Sequence, residues 1–306
     1  MVMNVELRHL RALAAIGDEG TITGAAHVLH ISQPALSRTL DQLETRLSTR
    51  LVERTTRRLE LTEAGRRLWE RAHRVLREFD DALAEVATGP RPLRIGFPWG
   101  SLGRHTVPLL HSWRAEHPDT PLGVRRCDDP EAELRRGGLD AAFLRKRPAP
   151  GSGLEALALY EESRMAAVPE GDPLAERATV RLADLAPRPV AICATAATTS
   201  AELWPEEARP HTFEVANVDE WLTAIATGDS VGVTAESTRH SYPHPGVRYL
   251  PLADADPVTV QLVWPHTPTH PATKALRDHA ARLLRRRPPL TGSAVGGSAR
   301  AAAMSP

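Results

Sequence analysis

The residue types best suited to chemistry stand together early in the chain: Gln33, Pro34, Ser37 and Arg38. A carboxamide can bond adenine bidentately, a hydroxyl serves any base, and a guanidinium suits guanine or phosphate. A second group, Arg54, Arg57 and Arg58 around Thr55-Thr56, suits backbone phosphates or a minor groove. Together they describe a surface for reading double-stranded DNA. Asp41 falls on the same face, but a carboxylate should not approach phosphate, so no DNA contact is assigned to it.

Such side chains work only if rigid elements hold them. Thr21 is a candidate N-cap, and Ile22, Ala25, Ala26 and Leu29 recur at helical spacing, with small alanines where two helices must cross closely. His30 and Ile31 make a tight turn, Ser32 can cap a second helix, and Pro34 sits in its first turn, where a missing N–H is harmless. Leu36, Leu40, Leu43 and Leu47 form the buried stripe of that helix. Pro34, Arg38, Asp41 and Thr45 then face outward, with Gln33 and Ser37 on the flank. This is a helix-turn-helix pattern. An ordinary helical hairpin with a solvated polar face is the bland alternative, and the next stretch counts against it. Residues 51–54 and 59–61 alternate as two short strands around a basic, β-prone tip, which makes a wing.

From Leu7 to Gly65 the chain reads LRHLRAL, GAAHVLHISQPALSRTLDQLE and RLVERTTRRLELTEAG. This run resembles the winged-helix DNA-binding domain of LysR-type transcriptional regulators. The resemblance implies that Gln33, Pro34, Ser37 and Arg38 face the groove and that Arg54, Arg57 and Arg58 touch backbone or minor groove. A long helix starts at Thr62 or Glu63, and Leu68, Ala72, Val75, Phe79, Leu83 and Val86 recur at three- and four-residue steps, close to a coiled-coil seam. It is expected to join two copies, because paired recognition helices reach half-sites about one DNA turn apart.

After the Gly89-Pro90-Arg91-Pro92 linker the pattern becomes alternating strands and helices: 93–97, 102–116, 122–126, a short helix through Leu134, then 139–144. A second set follows at 165–168, 189–193, 213–215, 218–227 and 231–234, then a strand at 258–264 and a closing helix at 272–286. This order implies a mainly parallel sheet covered by helices. The layout resembles the effector-binding region of the same family. The expected fold is therefore α/β: an N-terminal winged helix-turn-helix (1–62), a linker helix (63–88), and an effector region (89–287) of two α/β subdomains like a periplasmic binding protein. Subdomain I is expected at 93–161 and 265–287, subdomain II at 162–264, with crossings near Glu161 and Pro265, and a disordered tail at 288–306.

Ligands of open α/β sheets bind beyond the carboxyl ends of strands, near helix N-termini. Three stretches fit: Trp99-Gly100-Ser101 after the first strand, Thr195 with Thr198 and Thr199 after the strand at 189–193, and Thr234 at the end of 231–234. By resemblance they line a cleft for a small, often anionic, effector. Each hydroxyl is equally a plain helix cap, and Trp99 either stacks on a ligand or plugs an interface.

Composition narrows the classes. A 306-residue chain that is 42% hydrophobic holds two or three domains. No apolar run reaches a membrane span and no signal-peptide layout opens the chain, so a cytoplasmic protein is expected. Cys127 and Cys193 form no C-x-x-C pattern and read as small buried hydrophobes. His240/His244 and His266/His270 share i, i+4 spacing, but Pro243, Pro268 and Pro271 argue against helices there, so loop histidines are expected and no metal or other cofactor is. No nucleotide fingerprint or catalytic triad can be assigned, and no enzyme is expected. Net charge is zero, and residues 1–62 hold eight arginines against seven acids, so DNA binding must rest on where arginines cluster. The resemblance implies a homodimer or homotetramer on an interrupted palindrome, whose effector alters DNA bending and contact with RNA polymerase. The rival is an architectural DNA-binding protein whose α/β region only oligomerises. A weaker third reading is an enzyme fused to a DNA-binding domain.

Overall fold

The computed structural model describes residues 4–54, 59–98, 100, 102–193, 195–196 and 198–285. The N-terminal unit holds α1 (Leu7–Glu19), α2 (Ile22–Val28), α3 (Gln33–Leu47), β1 (Val52–Arg54), β2 (Leu59–Leu61) and the 26-residue α4 (Glu63–Thr88). The hydroxyls of Thr21, Ser32 and Thr62 accept bonds from the backbone N–H groups of Gly24, Ala35 and Gly65, so each helix starts where an N-cap residue satisfies a free donor. His30 makes the turn in the left-handed region, at φ 54°. Leu13, Ile16, Leu36, Leu40 and Leu43 close over Leu51 and Val52 to form this unit's core. Gly65 lets α4 approach that core, since a β-carbon there would lie 1.9 Å from the Leu51 carbonyl oxygen.

The remaining chain builds two five-stranded sheets. Its elements are β3 (Leu93–Phe97), α5 (Thr106–Glu116), β4 (Leu122–Arg126), α6 (Pro130–Arg135), β5 (Ala141–Leu144), β6 (Leu154–Glu162), β7 (Arg164–Pro169), α7 (Leu182–Leu185), β8 (Val190–Cys193), β9 (Thr212–Val215), α8 (Val218–Ala226), β10 (Val231–Ala235), α9 (Glu236–Ser241), β11 (Val247–Pro251), β12 (Val258–Pro265) and α10 (Thr273–Leu284). The first sheet runs β4-β3-β5-β12-β6 and the second β11-β7-β10-β8-β9.

Both sheets are mixed rather than mainly parallel. Three strands of each are parallel, while β12 and β6, and β7 with β11, run antiparallel to their neighbours. The strands β6 and β11 were not expected. β6 reads Leu-Glu-Ala-Leu-Ala-Leu-Tyr-Glu-Glu, whose residues mostly favour helix, and pairing with β12 overrides that propensity. β12 pairs with β5 and β6, so the return crossing lies before Val258 and not near Pro265. Residues 258–265 thus belong with the first sheet. The stretch after β8 leads only into a 3-10 turn at Ala201–Leu203. The tail expected at 288–306 lies outside the described residues.

The Gly-Pro-Arg-Pro linker is a built joint. Asp140, fully buried before β5, accepts both terminal nitrogens of Arg91 (2.7 and 2.9 Å), the Arg94 backbone N–H (2.8 Å) and the Thr269 hydroxyl (2.7 Å). Burial alone would raise its pKa, but these bonds outweigh it and hold the carboxyl below the usual carboxylate range. Arg91 and Arg94 also pair with Asp81 of α4 at 3.2 and 3.0 Å.

Candidate nucleic-acid interface and ligand cleft

The buried leucines of α3 turn its other side outward. Gln33, Pro34 and Arg38 are exposed and Ser37 is half-buried. Arg38 makes no hydrogen bond or ion pair with any described residue, so its guanidinium is free to meet a base or phosphate. The Gln33 carboxamide donates to the Thr23 hydroxyl at 2.5 Å, which ties the start of α3 to α2. Asp41 is exposed on the same helix. β1 and β2 pair antiparallel, Val52 opposite Leu61 and Arg54 opposite Leu59, as a wing requires. The Arg54 side chain, Arg57 and Arg58 lie outside the described residues.

Sequence reasoning missed Glu44. Its buried carboxylate accepts the backbone N–H groups of Leu51 and Val52 (2.8 and 3.1 Å) and pairs with Arg50 (2.8 Å), fixing the wing base against α3. The readable signal was an acid at i, i+4 from Leu40 and next to Leu43, placed where the apolar stripe should continue.

The ends of the parallel strands assemble a second region. Beyond β3, Gly100 and Gly103 adopt left-handed φ values of 63° and 54° and lie against α9 of the other sheet. A β-carbon at Gly103 would come within 2.9 Å of the Ser237 α-carbon, so the two subdomains meet here backbone to backbone. The Ser241 hydroxyl donates to the Gly100 carbonyl at 3.0 Å. From the carboxyl end of β5, Arg145 donates to Glu162 (2.8 Å) and to the Ser237 hydroxyl (2.8 Å). Glu162 in turn accepts the Ser237 backbone N–H. The Arg145 and Glu162 side chains are only 4% and 6% exposed, so this is a buried ion pair at the junction.

The expected threonines gather at the ends of β8 and β10, with their polar groups already engaged. The Thr199 hydroxyl donates to the Val233 carbonyl (2.6 Å), and those of Thr234 and Thr238 bond each other (2.6 Å). The Thr198 carbonyl accepts from Arg164, and the Thr195 hydroxyl lies 3.3 Å from the Cys193 sulfur. Trp99 and Ser101 fall outside the described residues. A cavity of about 40 Å³ remains at the junction, lined by Leu102, Arg104, His105, Tyr160 and Ser237 among others. It has room for water, whereas metabolite sites need roughly 300 Å³ or more. The Tyr160 hydroxyl is buried there without a described partner, and burial raises its pKa. Arg145, Glu162 and Ser237 were not singled out from sequence, because no local spacing relates residues that only the folded first sheet and its junction with α9 bring together.

The members of the spaced histidine pairs take separate local partners. His240 does lie in a helix, α9, which ends at Ser241 before Pro243, and its partner is Glu236 at 3.7 Å. His244 accepts the Gly246 N–H, and His266 meets Glu155 at 2.6 Å. His270 is buried rather than exposed, with its ring nitrogens on Arg91 and Ala272 backbone groups. Each ring serves its own local contact. Among the described residues no helix is long and apolar enough to cross a membrane.

Comparison with known proteins agrees with this two-part geometry. The family model for the bacterial regulatory helix-turn-helix protein, lysR family, matches residues 7–66, and that for the LysR substrate binding domain matches residues 88–285. The HTH-type transcriptional regulator YnfL of Escherichia coli K12 is 32% identical over 92% of this chain and 100% of its own. The HTH-type transcriptional regulator BenM of Acinetobacter baylyi is 29% identical over 83% of this chain and 88% of its own. A probable hydrogen peroxide-inducible genes activator of Mycobacterium avium is 37% identical over 59% of this chain and 60% of its own. Among solved structures, full-length CbnR complexed with its target DNA matches with a TM-score of 0.63 at 22% identity, covering 91% of this chain and 99% of that one. The chain belongs to the LysR family: it is a DNA-binding transcriptional regulator with a helix-turn-helix domain and a substrate-binding domain. The family is one of regulators, not enzymes.

Proposed function

We propose that this regulator binds an interrupted palindromic operator as a dimer or tetramer, and that a small anionic effector entering between the two sheets changes its grip on DNA. The observation that carries the DNA half is the free, exposed face of α3 with Arg38 at its centre. α4 supports the dimer: Val75, Phe79, Leu83 and Val86 are 47%, 39%, 59% and 89% exposed along one apolar stripe. Gln33, Pro34, Ser37, Arg38, Arg54, Arg57 and Arg58 are assigned to DNA. Trp99, Gly100, Ser101, Thr195, Thr198, Thr199 and Thr234 are assigned to the effector cleft. A regulator working on an operator, with RNA polymerase as neighbour, is expected in the cytoplasm.

Cleft closure fits the effector reading if a ligand replaces the internal bonds it parts, Arg145 to Ser237 and Ser241 to Gly100. The same closure favours the second reading, an architectural protein whose α/β region only oligomerises. A peroxide-sensing reading, suggested by the mycobacterial relatives, finds little support. Burial pushes the Cys127 thiol up to about 11, Cys193 is buried, and Cys127 follows β4 of the first sheet whereas Cys193 ends β8 of the second. Binding the purified chain to fragments of its own genome at fixed salt, then sequencing the retained pool, tests the proposal. Discrete dyad sites, plus thermal stabilisation by metabolites of the neighbouring genes, are expected. Retention without a motif would overturn the specific-regulator reading. Dyad sites with no stabilising metabolite would leave the architectural one.

A further inference from the structure

On one face of the first sheet, α5 ends in Glu116, His117 follows as its C-cap, and His279 of α10 lies beside both. We infer that Glu116, His117 and His279 form a site for one divalent transition-metal ion of the zinc class, held in competition with the Arg282 guanidinium.

The spacing is that of ligands on one ion. His279 Nδ1 lies 3.5 Å from a carboxylate oxygen of Glu116, and two donors on a tetrahedral ion with bonds of about 2.0–2.1 Å are about 3.4 Å apart. One donor atom from each of the three residues lies within 4.8 Å of the others. Two imidazoles and one carboxylate form a borderline donor set that suits zinc, cobalt(II) or nickel(II) over calcium or magnesium, with the fourth position left to solvent.

The surroundings orient these donors. Trp113 stacks on His117 at 3.9 Å and meets His279 edge-on at 5.4 Å, and its own indole N–H is fixed on the Thr120 carbonyl at 2.7 Å. Ser112 donates to one oxygen of Glu116 at 3.0 Å and leaves the other facing the histidines. His279 is only 1% exposed, and its Nε2 is buried without a described partner. The imidazole therefore stands in a core without being held there by a bond on that side.

A cation already occupies the position. Arg282 Nη2 bonds Glu116 and also His279 Nδ1, at 2.9 Å from the ring nitrogen. The Arg282 side chain is 48% exposed, free to swing into solvent when an ion takes its place. A bound ion would staple α5 to α10, whose residues Leu109, Trp113, Leu276 and Leu284 share the first sheet's core.

The test uses the full chain stripped with a chelator. Zinc is titrated calorimetrically near neutral pH, with cobalt(II) as a spectroscopic probe of tetrahedral coordination. Wild type should take one ion per chain at this site. Glu116→Gln and His117→Asn, both at solvent-accessible positions, should each weaken it at least about tenfold. Arg282→Gln should tighten it about tenfold by removing the competing charge. Cobalt should show tetrahedral bands in wild type that disappear in Glu116→Gln. Absence of binding in wild type, binding confined to Arg282→Gln, or affinity unchanged by Glu116→Gln and His117→Asn would each overturn the inference.

Discussion

The exposed face of α3 and the junction between the two sheets use polar side chains in opposite ways. On α3, Arg38 has no described partner, Gln33 bonds an exposed neighbour, and Thr45 bonds the Asp41 carbonyl of its own helix. In the cleft Arg145, Glu162, Ser237, Thr199 and Thr234 are all committed to one another, to the Thr238 hydroxyl or to backbone groups. An exposed, unpaired guanidinium contributes little to folding and can give its full interaction to a ligand. A buried, bonded side chain contributes to folding, and a ligand gains only the difference between new and old bonds. Substitutions on α3 should therefore change DNA affinity without changing stability, while substitutions at the junction should change stability first.

The sharpest attack on that contrast is Glu162→Ala. It removes the carboxylate that pairs with the buried Arg145 guanidinium, which should cost about 3–5 kcal/mol of unfolding free energy, read by urea denaturation. An unchanged midpoint would show that the junction pair is not structural. Asp140→Asn comes next, losing charge-assisted bonds worth about 1.5–3 kcal/mol at neutral pH. Its pH dependence has a definite sign. The folded pKa is depressed, so the carboxylate's contribution is complete above its unfolded value of about 3.9 and is lost as pH falls through the folded value. Wild type and Asp140→Asn should therefore converge in stability in acid. A gap that persists at low pH would mean the loss is one of packing.

Arg38→Ala should weaken operator binding by about 1–3 kcal/mol, with thermal stability unchanged, since the side chain is exposed and unpaired. Equal loss on random DNA would recast Arg38 as a phosphate contact. A lowered melting temperature would break the comparison on its other side.

These two regions also differ in how much of them the sequence discloses. The α3 face was readable because helix periodicity and caps are local: Thr21, Ser32 and Thr62 each act within three residues of themselves. The wing strands were readable for the same reason. Arg145 and Glu162 lie seventeen residues apart, and Ser237 ninety-two beyond Arg145. Nothing local relates them: β5 and β6 flanking β12 bring Arg145 to Glu162, and α9 adds Ser237. β6 was missed because its residues favour helix and only β12 makes it a strand, and the same pairing moved the return crossing ahead of Val258. Asp140 shows the same limit, with ligating groups from a linker, a strand and a loop over a hundred residues away.

The smallest expected effect tests the contrast most finely. Thr199→Val keeps the shape of the side chain and removes the hydroxyl that donates to the Val233 carbonyl at 2.6 Å. The protein without effector should lose about 1 kcal/mol, the net worth of one such bond. An effector that captures the Thr199 hydroxyl must first take it from Val233, so its gain from that group is an exchange of one bond for another. Effector affinity should accordingly change by less than about threefold, well below the effect of removing a hydroxyl that was free to begin with. A loss of tenfold or more, measured by the effector-dependent melting shift, would mean that the Val233 bond is already broken in the binding-competent state. The closed cleft would then be a conformation the effector selects against, and its cost would belong to the opening equilibrium rather than to Thr199.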